Sequence, residues 1–212
     1  MLPTGSVEVK RWLFEPPAIH ADFLLRLQKH RQPALARQPI RESAAAMAAE
    51  ARGLIAPESV VWRGRVTASE PDGAVTLEGV HRFQSRALAG LLAQAEAAYV
   101  VALTIGEGLE RRVDTYFKEQ EFLEGLFLDT AGWAAIEILM REVRRRLLAE
   151  ERPFGRVVTH RLAPGYRDWP VDEQAALLRV FGETPMPVRV TDSAWMLPRK
   201  SVSALFGVCP AR

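Results

Sequence analysis

The chain has 212 residues, 48% of them hydrophobic and 25% charged, with a formal net charge of +2. That length can bury a real core as one large domain or two small ones, and the near-balanced charge leaves no nucleic-acid footprint, which would need Lys and Arg gathered on one element. The buried-looking uncharged run Ala97 to Ile105 is too short to span a bilayer, and residues 1–10 carry no apolar signal core, so no membrane partner and a cytoplasmic location are expected.

In chain order, residues 6–14 read as a strand that Pro16 and Pro17 end. A short helix over 22–31 follows, with Phe23, Leu24 and Leu27 on its apolar side. Ser43 is the expected N-cap of an alanine-rich helix over 44–52, closed by Gly53. Segments 60–68 and 74–78 read as strands joined by Glu70-Pro71-Asp72-Gly73, which is hairpin chemistry. Ser85 caps a helix over 86–95, and 99–105 reads as a buried strand. Helices are expected over 108–118 and 121–151, the second growing basic toward its C-terminus as the helix dipole favours. Then come a strand over 156–161, a helix over 171–181, and strands over 188–192 and 201–206. Strands and helices mix without regular alternation and without an internal repeat, which points to one α+β domain over residues 1–212.

The densest chemistry lies in Arg161-Leu162-Ala163-Pro164-Gly165-Tyr166-Arg167-Asp168-Trp169-Pro170. Arg161 offers a planar fork to a carboxylate or phosphate, Pro164 and Gly165 shape a tight backbone, and Tyr166 adds a flat ring with a hydroxyl. Such a turn can grip a small, flat, charged molecule. A second block, Met196-Leu197-Pro198-Arg199-Lys200-Ser201-Val202-Ser203-Ala204-Leu205-Phe206, contains an alternating Ser201-Val202-Ser203 that reads as a strand with one polar face. Lys200 reads as a surface residue and Trp169 as core. Asp129, Trp133, Glu137 and Arg141 fall at four-residue steps on one helix face, where Glu137 could simply pair with Arg141.

Together the two blocks resemble the S-adenosylmethionine-binding activation domain of cobalamin-dependent methionine synthase, with its Arg-x-x-x-Gly-Tyr signature and a downstream Pro-x-x-Ser-Val-Ser element. The resemblance covers residues 96–212, reaching upstream through 99–110 and the helix of Glu137, and matches residues 1–95 in layout only. It implies a C-shaped α+β fold of helices around a twisted, mainly antiparallel sheet. It further implies that Arg161, Ala163, Pro164, Gly165, Tyr166, Glu137, Ser201 and Ser203 bind S-adenosylmethionine, with Arg161 on the methionyl carboxylate and Tyr166 near the methyl group and the cobalt. Glu137 would serve the ligand's ammonium or its ribose hydroxyls.

No other methionine synthase part stands in these residues: no Asp-x-His-x-x-Gly cobalamin motif and no zinc-binding cysteine set. The resemblance therefore implies a free-standing reactivation subunit. Its partner would be a truncated methionine synthase or a corrinoid protein that carries the cobalamin, served by an electron donor such as flavodoxin or ferredoxin. Cobalt would do the chemistry. A corrinoid-protein chaperone without catalysis and an independent S-adenosylmethionine methyltransferase are the alternatives, the latter disfavoured by the lack of a Gly-rich loop after a strand. The chain's end six residues after Phe206 leaves one side of the expected site open. The single Cys209 and the four scattered histidines, His20, His30, His81 and His160, read as structural or incidental, and no metal site is expected.

Overall fold

The computed structural model describes residues 8–29, 31–79 and 81–211. The sequence ends and His30, one of the four histidines, lie outside them.

Strands β1 (Glu8–Leu13), β2 (Glu58–Ser69), β3 (Ala74–Leu77), β4 (His81–Gln84), β5 (Ala97–Thr104), β6 (Arg156–Val158) and β9 (Ser201–Pro210) form one seven-stranded antiparallel sheet. Its order is β4-β3-β2-β5-β9-β6, with β1 also on β2. Strands β7 (Arg189–Val190) and β8 (Met196–Leu197) make a separate ribbon that leads into β9.

Every residue of β5 is buried, which is why its sequence is a continuous apolar run rather than an alternation. Tyr99, Val101 and Leu103 face a layer of helices: α1 (Ala21–Leu27), α2 (Gln38–Leu54), α4 (Gly108–Lys118) and α5 (Phe122–Glu151). Ala98, Val100 and Ala102 face a second cluster built on Trp62, Phe83, Trp169 and Phe181, together with α3 (Arg86–Leu92) and the short α6 (Gln174–Leu178). The sheet is thus covered on both faces, and the α+β class expected from the sequence is the one observed. No helix of the described residues is long and apolar enough to cross a membrane.

The α2 start differs from the sequence expectation. Pro39 sits in its first turn, where a fixed φ and a missing N–H cost nothing, so the helix opens after Arg37 and Ser43 lies inside it, its hydroxyl donating to Glu124 at 3.3 Å. Gly53 likewise falls within the last turn. Helix α1 stops early, because Lys29 takes a left-handed φ of 65°. Ser85 caps α3 as expected, accepting from the Leu88 N–H at 3.1 Å. The helix expected over 171–181 divides into 3-10 turns flanking α6, and β4, β8 and a 3-10 turn at Pro33–Leu35 were not foreseen.

The 30-residue α5 is the longest element and, at 1.5 Å per residue, runs about 45 Å across the sheet. Its C-terminal Glu151 is only 2% exposed and accepts from Arg63 Nε (2.8 Å), Tyr99 Oη (2.7 Å) and Arg156 Nε (2.5 Å). A carboxylate at a helix C-terminus opposes the dipole, and two arginines from β2 and β6 offset that cost. They fasten α5 to the sheet.

Candidate functional site

The strand expected over 156–161 stops at Val158, and its pairing with β9 shifts by one residue before it resumes. Leu162 rejoins β9 by exchanging both backbone hydrogen bonds with Leu205, at 3.0 and 2.7 Å. The next pair of this kind in an antiparallel ladder would set Pro164 opposite Ser203. Pro164 has no N–H to give, so the ladder ends there. Beyond that point the chain turns away, and the edge of β9 at Ser203 is left uncovered by strand.

The turn itself is pinned from three sides. Gly165, at φ 89°, donates to the Trp169 carbonyl at 2.8 Å, a conformation that a Cβ would strain. Trp169 is 1% exposed, meets Phe83 edge to face at 5.7 Å, and donates its indole N–H to Glu173 at 2.6 Å. Asp168 accepts from the Ser85 hydroxyl (2.7 Å) and from the Arg86 (2.8 Å) and Ala87 (3.1 Å) N–H groups, so its carboxylate anchors the turn on the N-terminus of α3. Those bonds hold the Asp168 carboxyl below its ordinary range, the Ser85 hydroxyl first among them. With Gly165, Asp168 and Trp169 tied down, Tyr166 is left 63% exposed at the tip.

Between the turn and the β9 edge lies a cavity of about 200 Å³. Arg161, Leu162, Ala163 and Tyr166 of the turn, Val202 and Ser203 of β9, and His160 and Arg167 line it. Ser203 is 2% exposed and its Oγ has no hydrogen-bond partner among the described residues. Buried hydroxyls are ordinarily satisfied, so this unpaired one is an exception among the cavity's lining residues.

The structure thus brings Arg161, Ala163, Tyr166 and Ser203 together around one space. Pro164 and Gly165 shape the turn without lining the cavity. Ser201 does not line it either: its hydroxyl meets that of Thr104 at 2.8 Å and donates to the Pro198 carbonyl at 2.6 Å. Glu137 pairs not with Arg141 but with Arg161, whose Nη2 donates to Glu137 Oε1 at 2.6 Å. His160, Arg167 and Val202 were passed over in the sequence, although their positions beside Arg161, Tyr166 and Ser203 were the available signal.

Helix α5 orders this region. Arg144 donates to the Val158 and Thr159 carbonyls at 2.8 and 2.9 Å, fixing the segment just before Arg161. One helix face earlier, Asp129 and Trp133 hold Lys200. Far from being a surface residue, Lys200 is 6% exposed, with Nζ 2.7 Å from Asp129 and 4.6 Å from the centre of the Trp133 ring. The cause is close approach: the Lys200 stem runs across Gly132, where a Cβ would come within 3.1 Å of it.

No protein-family model and no curated protein matches the chain. A solved structure does: the MetH reactivation domain bound to AdoHcy, with a TM-score of 0.66 over 99% of this chain and 82% of that one, at 14% sequence identity. At that identity the likeness is one of fold. It extends over residues 8–95 as well, where the sequence resemblance was one of layout only.

Proposed function

With the fold of a methionine synthase reactivation domain as the premise, we propose that this chain binds S-adenosylmethionine in the cavity between the Arg161 turn and β9. The observation that carries the reading is the cavity's composition. The two sequence blocks that resemble the activation domain, separated by 25 residues of chain, both supply residues of its lining. One block offers a guanidinium suited to a carboxylate, the other an orphan hydroxyl suited to a polar ligand edge.

At about 200 Å³ the cavity is smaller than the ~300–1,000 Å³ usual for whole small-molecule sites, so it takes one end of such a ligand. The remainder lies at the mouth beside the exposed Tyr166. That arrangement suits a protein that presents a methyl donor to another molecule. The expected acceptor is a cobalamin carried by a separate corrinoid protein or truncated methionine synthase, reduced by an electron donor such as flavodoxin or ferredoxin. Bound there, reduced cobalamin would supply the nucleophile for the sulfonium methyl. This chain's residues would anchor the donor through Arg161, hold its polar edge through Ser203, and fix the turn through Asp168 and Trp169. Their contribution is orientation, and no general base is needed.

Isothermal titration of the chain with S-adenosylmethionine tests the reading. A hydrogen bond to a charged group contributes about 1.5–3 kcal/mol, so Arg161→Ala should weaken binding roughly 10- to 100-fold. The variant should still fold, because Arg161 and Glu137 are a third to a half exposed and such pairs contribute about 1 kcal/mol or less. Absence of binding to the wild-type chain, or equal affinity in the variant, would overturn the proposal.

A further inference from the structure

Arg161 lines the cavity and Glu137 does not, yet the two are joined at 2.6 Å. Glu137 therefore acts on the guanidinium from outside the space a ligand would fill. The contact is through Nη2, one carboxylate oxygen to one N–H. A guanidinium has five N–H groups in one plane, and Nη2 contributes a hydrogen to each of its two bidentate edges. A carboxylate on one of those hydrogens fixes the plane while leaving the other edge whole.

We propose that Glu137 is a positioning residue: it orients Arg161 so that the free edge of the guanidinium meets a carboxylate in the cavity, and it does not touch the ligand itself. The inference rests on the proposed function for the identity of that carboxylate. Arg144 fixes the backbone leading to Arg161, through the carbonyls of residues 158 and 159, but leaves the side chain free. Among the described residues Glu137 is the ion-pair partner of Arg161, and Arg141, one turn further along α5, shares no contact with it. Arginine carries large rotamer freedom, and restraint of that freedom before binding is what Glu137 supplies.

The test is a double-mutant cycle on the full chain, titrated with S-adenosylhomocysteine. Glu137→Ala should weaken binding about 5- to 10-fold, and on an Arg161→Ala background it should change nothing further. Glu137→Gln, whose amide oxygen accepts the same hydrogen bond, should stay within about 3-fold of wild type. 5′-Methylthioadenosine, which has no carboxylate, should bind all of these variants alike. A loss in Glu137→Gln as large as in Glu137→Ala, persisting without Arg161, would mark Glu137 as a ligand contact and overturn the proposal. Independently, the side-chain Nε–H signal of Arg161 in ¹⁵N spectra, assigned by its loss in Arg161→Ala, should shift and broaden in Glu137→Ala and be retained in Glu137→Gln. An unchanged signal in Glu137→Ala overturns the proposal with no ligand present. Failure of the wild-type chain to bind S-adenosylhomocysteine would instead refute the proposed function, while that signal still reads the restraint.

Discussion

Replacing Ser203 with alanine should make the protein more stable and a poorer binder. Its hydroxyl is buried at 2% exposure with no partner, and burying an unpaired hydroxyl costs about 1–3 kcal/mol. Alanine keeps the Cβ and removes only the oxygen, so the packing loss is small and offsets part of that gain. A net stabilisation of about 1 kcal/mol corresponds, for a chain of this size, to a Tm rise of about 2–4 °C. Binding moves the other way. Loss of one neutral hydrogen bond, about 0.5–1.5 kcal/mol, weakens affinity for S-adenosylmethionine roughly 3- to 10-fold. Ser59 supplies the control, because its hydroxyl is equally orphaned but sits between Trp12 of β1 and Leu103 of β5, outside the cavity lining. Ser59→Ala should show the thermal gain and no change in affinity. Differential scanning calorimetry and isothermal titration on the three proteins decide the matter. A lower Tm for Ser203→Ala, or an affinity equal to wild type, would refute the reasoning that this hydroxyl is kept unpaired for a ligand.

Glu151→Ala leaves the Tyr99 hydroxyl with only its long 3.4 Å bond to Glu150 and two arginines, each 20% exposed, without their anion; the cost of breaking such a network is about 3–5 kcal/mol, taken here at its lower end because the arginines can reach water, and calorimetry should show a Tm lower by roughly 6–12 °C. Burial alone pushes the Glu151 carboxyl up, but hydrogen bonds from Arg63, Tyr99 and Arg156 outweigh it and hold it below the ordinary range. A depressed folded pKa means its stabilisation is present above the unfolded value near 4.5 and is lost as pH falls through the folded one, so the Tm gap between wild type and Glu151→Ala should close in acid. Asp168 has the same sign, and because its carboxylate anchors the Gly165–Tyr166 turn, Asp168→Ala should weaken S-adenosylmethionine binding at neutral pH; an unaltered affinity would show the turn to be held without it, by Trp169 and the turn's own backbone bonds.

Elements whose cause is local were readable from the sequence. The Ser85 cap, the turn at Asp72-Gly73, where the Asp72 carboxylate accepts from the Ala74 N–H, and the helix over 108–118 each rest on neighbours within a few residues. What escaped depends on partners far along the chain. Lys200 looks like any surface lysine until Asp129, Trp133 and Gly132 are brought beneath it. Glu137 had a plausible partner four residues away in Arg141, and only the folded chain shows that Arg161 takes it instead. Strand β4 was invisible because Phe83 is its one buried residue, too little for a period-two pattern. Residues from both motif blocks met at one cavity, but the sequence could not say that Ser203 would line it with its hydroxyl unpaired while Ser201, two residues away on the same strand face, would have its hydroxyl taken by Thr104 and Pro198.

The distribution of these ties along α5 bears on what the site can do. Asp129, Glu137 and Arg144 hold, in turn, the lysine before β9, the cavity arginine, and the carbonyls just before that arginine. At 1.5 Å per residue they stand about 12 and 10 Å apart along one rigid helix, which Glu151 then locks to the sheet. Neither motif block is thus free to move against the other, although both are largely loop and edge strand. On the proposed function no proton is transferred, so no titratable group need be poised at a reacting atom. Alignment of a reactive donor against a second molecule calls for something different: fixed walls, one charged anchor with its orientation set from behind, and an open mouth. Glu137 behind Arg161, Asp168 beneath the turn and Tyr166 exposed above it meet those three demands with residues whose positions are set by α3, α5 and β9.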